Sequence, residues 1–499
     1  MAILLFFGCF ISCKKDKVIT SSNAKLSFSQ SSIMFDTVFT KIGSTTQIFR
    51  VHNRNNGKVN ISSIRLARGD ASFYRLNVDG LPGKSFSNIE IAAGDSMYIF
   101  VEVTIDPTNQ TNPFIYRDSI LFELNGNQQY FDLIAFGQNA YYYMNEKSLI
   151  ESNTQALYYD TLPGVPDHGG TYTMPTDKPH VIYGYLLVDS TQTLIIPAGA
   201  QIYVHNSGGI WVSRYGNIQI NGTQSNPVTF QGDRLEDEYK DVPGQWDRIW
   251  INEGGAPSKI SYAVIKNAFV GVHAGFSVFD GLATGNYAYT GESRRLAIDH
   301  TIIQNCSYAG ILGHFFNITG GDNIVVNCGQ HLCRFEYGGS YRFFQCTFAN
   351  YWNQSNNSQA SNARTTPSFY FGDYSANELS VATDSLYFGN CIMDGTLAEE
   401  FQFDTIAGSV NAFGLIKFDH CALKTAGSLN QNAPSVYSCL INQNMSFASP
   451  SAYDFKLNSN SAAINDGSSS ANGNYITDII NNPFIGPSNS YPDIGAYAH

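Results

Sequence analysis

Apolar and polar side chains alternate over short runs in the first third of the chain. Residues 45–53, 97–105 and 118–124 have the two-residue period and the β-branched and aromatic composition of strands. Asn125-Gly126 follows the third run, and this dipeptide is typical of a two-residue hairpin turn. About seven such strands predict an antiparallel β-sandwich over residues 26–140.

The rest of the chain carries a repeat. The first column of the aligned apolar runs is Ala263, Thr301, Asn323, Cys346, Cys391 and Cys421. Four positions later stand Asn267, Asn305, Asn327 and Asn350. Intervals of about 22 residues, lengthened by insertions, match one coil of a parallel β-helix. Asparagine suits the left-handed corners of such coils and can hydrogen-bond to its neighbour in the stack.

Both ends of the repeat region resemble parts of known proteins. Residues 194–203 and 243–251 resemble the opening coils of bacterial right-handed parallel β-helix proteins, and residues 492–497 resemble their closing segment. Ala498 departs from that pattern, which continues with an acidic residue. The resemblance implies a right-handed parallel β-helix (solenoid) over residues 186–499 and says almost nothing about activity.

The first domain also resembles a known module. The strand at residues 95–103, with residues 134–138, is similar to immunoglobulin-like modules that precede repeat domains in secreted Bacteroidota proteins. We therefore expect an all-β protein in which an N-terminal antiparallel β-sandwich is followed by the β-helix. Residues 141–185 are predicted to form a linker and N-terminal cap.

The N-terminal segment predicts a lipid anchor. Residues 1–12 form an apolar run that ends at a small residue before Cys13. The segment resembles a bacterial lipobox, which implies a signal peptide over 1–12, lipidation of Cys13 and a lipidated linker over 13–25. The usual positive segment is missing, so we expect the natural start to lie upstream. Several acyl chains would anchor the protein to the outer membrane, at the cell surface or the periplasmic face.

Composition narrows the class of protein. Charged residues make up 14% and aromatic residues 14% of the 499 residues, unlike a disordered chain. The net charge of −12 leaves no basic stripe to neutralise phosphates, so no nucleic-acid partner is expected. Cysteines beyond Cys9 and Cys13 are odd in number and cannot all pair. Packing inside the coil is the favoured interpretation, with a reactive thiol or metal site as the alternative.

One set of residues is a weak catalytic candidate. The motifs of polygalacturonase-like and pectate-lyase-like enzymes are absent from the sequence. Strand alternation from the asparagine column directs His314 outward on one coil, with Arg334 and Glu336 outward on the next. These groups could act as a general base or hold an acidic sugar. A solvated polar face with ordinary ion pairs is the favoured alternative.

Two loops carry weaker candidates. Glu236, Asp237, Glu238 and Asp241 offer the hard oxygen ligands that calcium prefers, although a solvated insertion is the favoured interpretation. No other cofactor is expected. Tyr287, Tyr289 and Trp352 lie in predicted protruding loops and could bind a ligand or pack onto the coil.

The leading functional hypothesis is a non-catalytic, lipid-anchored cell-envelope protein that binds a glycan or a partner protein at the outer membrane. The anchor, the aromatic loops and the missing enzyme motifs favour it. One alternative is a polysaccharide lyase or glycoside hydrolase acting on the β-helix face. The other is a structural subunit of an outer-membrane complex.

Overall fold

The computed structural model describes residues 17–106, 114–149, 157–254, 256–275, 295–354, 363–372, 383–404, 416–427, 429, 435–485 and 491–499. Within this part of the chain the fold is all-β, in two compact units, Met1–Ala140 and Tyr141–His499. The helical turns that the structure describes are 3-10 turns at Gly69–Ala71, Asp237–Tyr239, Trp352–Gln354 and Pro450–Ala452. No helix among the described residues is long and apolar enough to cross a membrane.

Ten strands are described in the first unit. They are β1 (Ser27–Phe28), β2 (Ser32–Phe39), β3 (Gln47–His52), β4 (Val59–Leu66), β5 (Tyr74–Val78), β6 (Leu81–Gly83), β7 (Ser85–Ile91), β8 (Ser96–Val103), β9 (Phe114–Leu124) and β10 (Asn127–Gln138). One sheet has the order β1-β3-β8-β5-β6 and the other β2-β10-β9-β4-β7. Alternate side chains of both sheets form one buried apolar core, as in a β-sandwich.

The pairing within the first unit is mostly antiparallel. The exception is β2, which runs parallel to β10. The Asn125-Gly126 hairpin is confirmed: it joins β9 to β10, with φ of 50° at Asn125 and 83° at Gly126. Positive φ at both central residues is what a type I′ turn requires, and only small or amide side chains adopt it readily.

Twenty-seven of the strands that the structure describes in the second unit join one large, mainly parallel sheet. They are β11 (Tyr141–Tyr143), β12 (Lys147–Leu149), β13 (Leu157–Thr161), β14 (Thr171–Thr173), β15 (His180–Val188), β16 (Thr193–Pro197), β17 (Gln201–Val212), β18 (Asn217–Asn221), β19 (Val228–Gly232), β20 (Ile249–Ile251), β21 (Ser258–Ser261), β22 (Ala263–Lys266), β23 (Val270–Gly275), β24 (Arg295–Asp299), β25 (Ile302–Gln304), β26 (Ala309–Gly321), β27 (Ile324–Val326), β28 (His331–Phe344), β29 (Thr347–Asn350), β30 (Phe369–Gly372), β31 (Thr383–Gly389), β32 (Ile392–Gly395), β33 (Phe401–Asp404), β34 (Ile416–Asp419), β35 (Ala422–Leu423), β36 (Ser435–Tyr437) and β37 (Leu440–Ile441).

From β17 onward these strands fall into three rows, in which successive members pair in parallel from one coil to the next. The first face contains β20, β23, β30 and β33, with the second half of β17 and the first halves of β26 and β28. The second face contains β18, β21, β24, β31, β34 and β36, with the second halves of β26 and β28. The third contains β19, β22, β25, β27, β29, β32, β35 and β37. This arrangement is consistent with a parallel β-helix.

The register confirms the column that the sequence repeat predicts. Val264 pairs with Ile302, and Ile302 pairs with Ile324, so the column residues directly before them lie next to each other on successive coils. Further pairs, up to Ile392 with Ala422, continue this alignment along the chain. The predicted cysteines of the column therefore stack inside the coil. All cysteines of the described residues are free thiols. Packing rather than disulfide formation therefore explains their positions.

The predicted stacking of the asparagine column on successive coils is confirmed. The predicted hydrogen bonds between neighbouring asparagines are confirmed in part. Asn267, Asn305 and Asn327 have φ of 62°, 57° and 50°, the left-handed corner conformation. Asn305 Nδ2 donates to Asn267 Oδ1 at 2.8 Å. Asn327 Nδ2 donates instead to the Pro450 carbonyl, and Asn350 Nδ2 to the Cys328 carbonyl. The asparagine side chains of this column therefore form hydrogen bonds to one another and also to neighbouring segments of the chain.

The third face is covered by the C-terminal part of the chain. This part includes the hairpin β38 (Phe447–Ser449) and β39 (Asp454–Leu457). Its apolar side chains form a second core with the outer side chains of the third face: Ile324, Val326, Ala349, Ile392 and Ala422 against Met445, Phe455, Ala463, Ile479, Ile494 and Ala496. A ligand therefore cannot lie along this stretch of the third face.

Candidate functional site

The predicted His314, Arg334 and Glu336 come together on the first face. Parallel pairing of β26 with β28 places His314 opposite Glu336 and Leu312 opposite Arg334. The alternate residues Ile311 and Cys333 are fully buried in the coil interior, so the direction that strand alternation predicts is confirmed.

Glu336 accepts a hydrogen bond from each of its two neighbours. His314 Nε2 lies 2.9 Å from Oε2, and Arg334 Nη2 lies 2.6 Å from Oε1. Burial alone would raise the pKa of Glu336, but the bonds and charges of His314 and Arg334 outweigh it and lower the pKa to about 2. The carboxylate is therefore ionised over the whole physiological range.

The cluster continues along the face to the two preceding coils. His273 Nε2 lies 3.2 Å from His314 Nδ1, and Arg248 Nη1 donates to His273 Nδ1 at 3.2 Å. Arg248 also makes a bidentate pair with Asp247, at 2.9 Å for both bonds, and Tyr185 Oη donates to Asp247. We call Asp247, Arg248, His273, His314, Arg334 and Glu336 the polar network.

The donors at its ends fix the direction of its hydrogen bonds. A guanidinium can only donate, so His273 Nδ1 must accept from Arg248. Burial, with the charges of His314 and Arg248, holds the pKa of His273 well below its ordinary value, so its one proton lies on Nε2 and points to His314. His314 Nδ1 then accepts, and its Nε2–H donates to Glu336. Both nitrogens of His314 are engaged, which leaves no lone pair for a general base.

A third imidazole fixes the other side of Arg334. Arg334 Nη1 donates to His331 Nε2 at 3.1 Å, and His331 Nδ1 donates to the Pro367 carbonyl at 2.7 Å. Burial is the main cause that lowers the pKa of His331 to about 4. The guanidinium also lies 4.1 Å from the ring centroid of Tyr370, whose hydroxyl donates to Asp404 at 3.0 Å. Arg334 is thus held rigidly in one orientation.

An aromatic pair lies beside the polar network. It was not among the candidates predicted from the sequence. Phe269 and Tyr308, on successive coils, are stacked with ring centroids 5.3 Å apart and an interplanar angle of 12°. Phe269 is 42% exposed, and Arg248 lies 5.6 Å from its ring centroid. Burial raises the pKa of Tyr308, and the charges of Arg334, Glu336 and Arg248 all act on it. Its hydroxyl is therefore within electrostatic range of both arginine–carboxylate pairs.

The other candidate residues are not brought into a site. Asp237 and Glu238 are exposed on a 3-10 turn, and Glu236 pairs with Arg234 at 3.2 Å. Among the described residues, no group of three or more His, Cys, Asp and Glu side chains could hold a metal ion, so the calcium hypothesis gains no support. The backbone carbonyl of Asp241 serves to hold the loop, because it accepts from Asn305 Nδ2.

The remaining candidates are buried or outside the described residues. Trp352 is 3% exposed and its ring lies beside Gly329, so it is not available to stack on a ligand. Tyr287, Tyr289 and Cys13 lie outside the described residues.

The second face carries cations and tyrosines on successive coils. Parallel pairing aligns Arg342 with Tyr387 and Tyr387 with Lys417. Arg342 and Lys417 each lie 5.4 Å from the Tyr387 ring centroid, and Lys417 lies 4.8 Å from that of Tyr437. Lys417 is also paired with Asp419 at 3.0 Å. These contacts account for the side chains locally, and this face serves below as a comparison surface.

Comparisons with known proteins identify no family. No family model and no curated protein match the chain. A family 123 glycoside hydrolase from Clostridium perfringens is 12% identical over 24% of this chain and 30% of its own, with a TM-score of 0.16. The catalytic unit of a GH87 α-1,3-glucanase from Streptomyces thermodiastaticus is 10% identical over 79% of this chain and 75% of its own, with a TM-score of 0.28. The chain thus spans less than a third of the family 123 enzyme, and scores this low support no statement about activity.

Proposed function

We propose that this protein is a lipid-anchored cell-envelope protein that binds a neutral glycan, without cleaving it, on the first face beside the polar network. The observation that carries the proposal is the stacked pair of the exposed Phe269 and the half-buried Tyr308, flanked by two arginine–carboxylate pairs. Sugars offer hydroxyl groups to planar charged side chains and apolar ring surface to aromatic ones. Both kinds of partner are rigidly held here.

The charge of the network favours a neutral ligand. Arg248 is matched by Asp247, and Arg334 by Glu336. Neither arginine of the network is therefore an unmatched cation. A polyanion would have to compete with the carboxylates for the guanidinium groups, whereas a hydroxyl group can add to them.

The same geometry supports binding over catalysis. A general acid needs a pKa near the working pH, and the pKa of Glu336 is about 2. His314 has no lone pair to offer as a base, because His273 occupies Nδ1. The enzymatic alternative therefore needs other residues, and the Tyr308 hydroxyl, on which the charges of Arg334, Glu336 and Arg248 act, is one candidate.

The test is affinity electrophoresis of the full chain through gels that contain xylan, galactomannan or polygalacturonate. We expect retardation by a neutral polysaccharide, weakened about tenfold or more in Tyr308→Ala and Phe269→Ala, since these contacts supply the exposed ring surface. Tyr437→Ala, on the second face, is the matched control and should bind as the unaltered protein does. Retardation lost equally in all three variants, or in none, refutes the proposed location.

Cleavage is measured in the same incubations by the release of reducing ends and of unsaturated products. We expect neither. Product release that Tyr308→Phe abolishes would replace the binding proposal with the lyase or hydrolase alternative. Retardation by polygalacturonate alone would contradict the charge argument.

A further inference from the structure

A small pocket lies where the loop before β20 meets β22. Its volume is about 180 Å³, and its lining includes Arg234, Lys240, Gln245, Lys266 and Asn267. Side-chain amides fasten the loop to the coil. Gln245 Nε2 donates to the Tyr239 and Val242 carbonyls at 2.6 and 2.9 Å, and Asn267 Nδ2 donates to the Lys240 carbonyl at 2.9 Å. The pocket wall is therefore built from fixed groups.

The pocket has more positive than negative charge, although the chain as a whole carries −12. Arg234 is balanced by Glu236, and its guanidinium lies 3.7 Å from the Tyr239 ring centroid. Within the described part of the chain, the ammonium groups of Lys240 and Lys266 form no ion pair, and the side-chain hydrogen bonds to these two residues are accepted by their backbone carbonyls. The acid in the lining, Asp237, is exposed to solvent.

Among the charged residues of the pocket, Lys266 has the ammonium group that is unfavourably desolvated. It is the last residue of β22 and is half-buried, and burial is the main cause that lowers its pKa. The charge of Asp241 offsets part of this effect, but no carboxylate among the described residues pairs with the ammonium group, and a desolvated ammonium group without a contacting counter-ion raises the free energy of the folded protein. A bound anion would remove that cost, and Lys240, on the same wall, would add a second cation.

We propose that this pocket binds a small oxyanion, a carboxylate, sulfate or phosphate group, between Lys266 and Lys240. The volume sets the size, because it corresponds to about six water molecules and is smaller than the roughly 300–1,000 Å³ of drug-sized sites. The ligand is therefore a free oxyanion or a group no larger than a monosaccharide acid. The chemistry of this site differs from that of the neutral-glycan site on the first face, because its lining carries lysines that are not paired with carboxylates.

The test is isothermal titration of the full chain with sodium phosphate, sodium sulfate and sodium glucuronate, with sodium chloride added to keep ionic strength constant. We expect saturable binding of at least one of them, weakened about tenfold or more in Lys266→Met, because a charge-assisted contact is lost. Lys259→Met removes an exposed lysine of β21 outside the pocket and should bind as the unaltered chain does.

The fold of the variants is checked by their thermal midpoints. Without added anion, Lys266→Met should melt at or above the unaltered chain, since an uncharged side chain replaces a desolvated ammonium. Tighter binding of glucuronate assigns the site to a sugar acid, and tighter binding of phosphate or sulfate assigns it to a free oxyanion. Absence of binding by all three anions, or equal binding by Lys266→Met and the unaltered chain, overturns the proposal.

Discussion

Replacing Glu336 with glutamine tests whether the polar network stabilises the second unit. The substitution keeps the shape of the side chain and removes its charge. Glu336 is 19% exposed and contacts His314 at 2.9 Å and Arg334 at 2.6 Å. The amide can keep one of these hydrogen bonds, but it leaves the guanidinium of Arg334 without its carboxylate partner.

The size of the effect follows from the pKa of Glu336. It falls from an ordinary 4.5 to about 2 in the folded protein. At about 1.4 kcal/mol for each unit of pKa, this difference corresponds to about 3.5 kcal/mol as an upper bound. Partial exposure and the retained hydrogen bond reduce the expected loss in Glu336→Gln to about 1–2 kcal/mol at neutral pH.

The pH dependence has a definite sign. Because the folded-state pKa of Glu336 lies below the unfolded value, the stabilisation is present above about pH 4.5 and is lost as the pH falls toward 2. The difference in stability between the unaltered protein and Glu336→Gln should therefore shrink between pH 5 and pH 3. A neutral glutamine has no such dependence of its own.

The measurement is urea unfolding followed by tryptophan fluorescence. The four tryptophans, Trp211, Trp246, Trp250 and Trp352, all lie in the second unit, so the signal reports that unit. Glu102→Gln is the control, because it breaks an exposed ion pair with Arg75 in the first unit and should leave this transition unchanged. Equal stability of Glu336→Gln and the unaltered chain at pH 7, or a difference that persists undiminished at pH 3, would show that the network does not stabilise the fold as argued.

Three further outcomes are expected. Glu400→Gln should cost about 3–5 kcal/mol in urea unfolding, because Arg364 and Glu400 form a fully buried pair at 2.6 Å, and a loss below 1 kcal/mol would contradict this. Burial is the main cause that raises the pKa of Asp322 from 3.8 to about 10, so the unaltered chain should lose stability as the pH rises from 5 to 9. Asp322→Asn should show no such loss from this site. If the stability of the variant and that of the unaltered chain change with pH in the same way, this expectation is refuted. N-ethylmaleimide should label Cys439 first among the described cysteines, since the others are buried, and peptide mapping that finds Cys333 labelled equally fast would contradict this.

The repeat in the sequence was sufficient to predict the outward direction of His314, Arg334 and Glu336. A parallel coil keeps its register wherever small residues and asparagines recur at the corners, so one column fixes the positions after it. Between β26 and β28 no insertion interrupts the coil on the first face, and the predicted pairing holds there.

The rest of the network could not be predicted in the same way. Residues 276–294 separate β23 from β24, so the interval from His273 to His314 is longer than one simple coil. Arg248 and Asp247 lie on the coil before His273. They precede the first residue of the aligned repeat, so the repeat predicts no position for them. Hydrogen bonds between side chains also depend on rotamers, which no sequence period encodes.

A second column of corners gave no sequence signal because its residues differ in chemistry. Tyr262, His300, Asp322, Gln345 and Asn390 share positive φ between 48° and 56° at successive turns of the coil. Asparagine is the residue expected there, so only Asn390 resembles the first column. The conformation is imposed by the parallel strands on both sides of each corner, and the residue type follows local contacts, such as the stacking of Tyr262 on His300 at 4.4 Å.

The distribution of charge over the second unit separates two kinds of ligand. The third face is covered by the C-terminal part of the chain, which packs apolar side chains against it along that stretch. The first face matches each arginine of its network with a carboxylate, so it can add hydrogen bonds to a neutral partner but has no unmatched cation. The unmatched cations Lys240 and Lys266 lie at the loop pocket instead. A neutral glycan and a small oxyanion are therefore expected at different places, and loss of one activity in a variant of its site should leave the other intact.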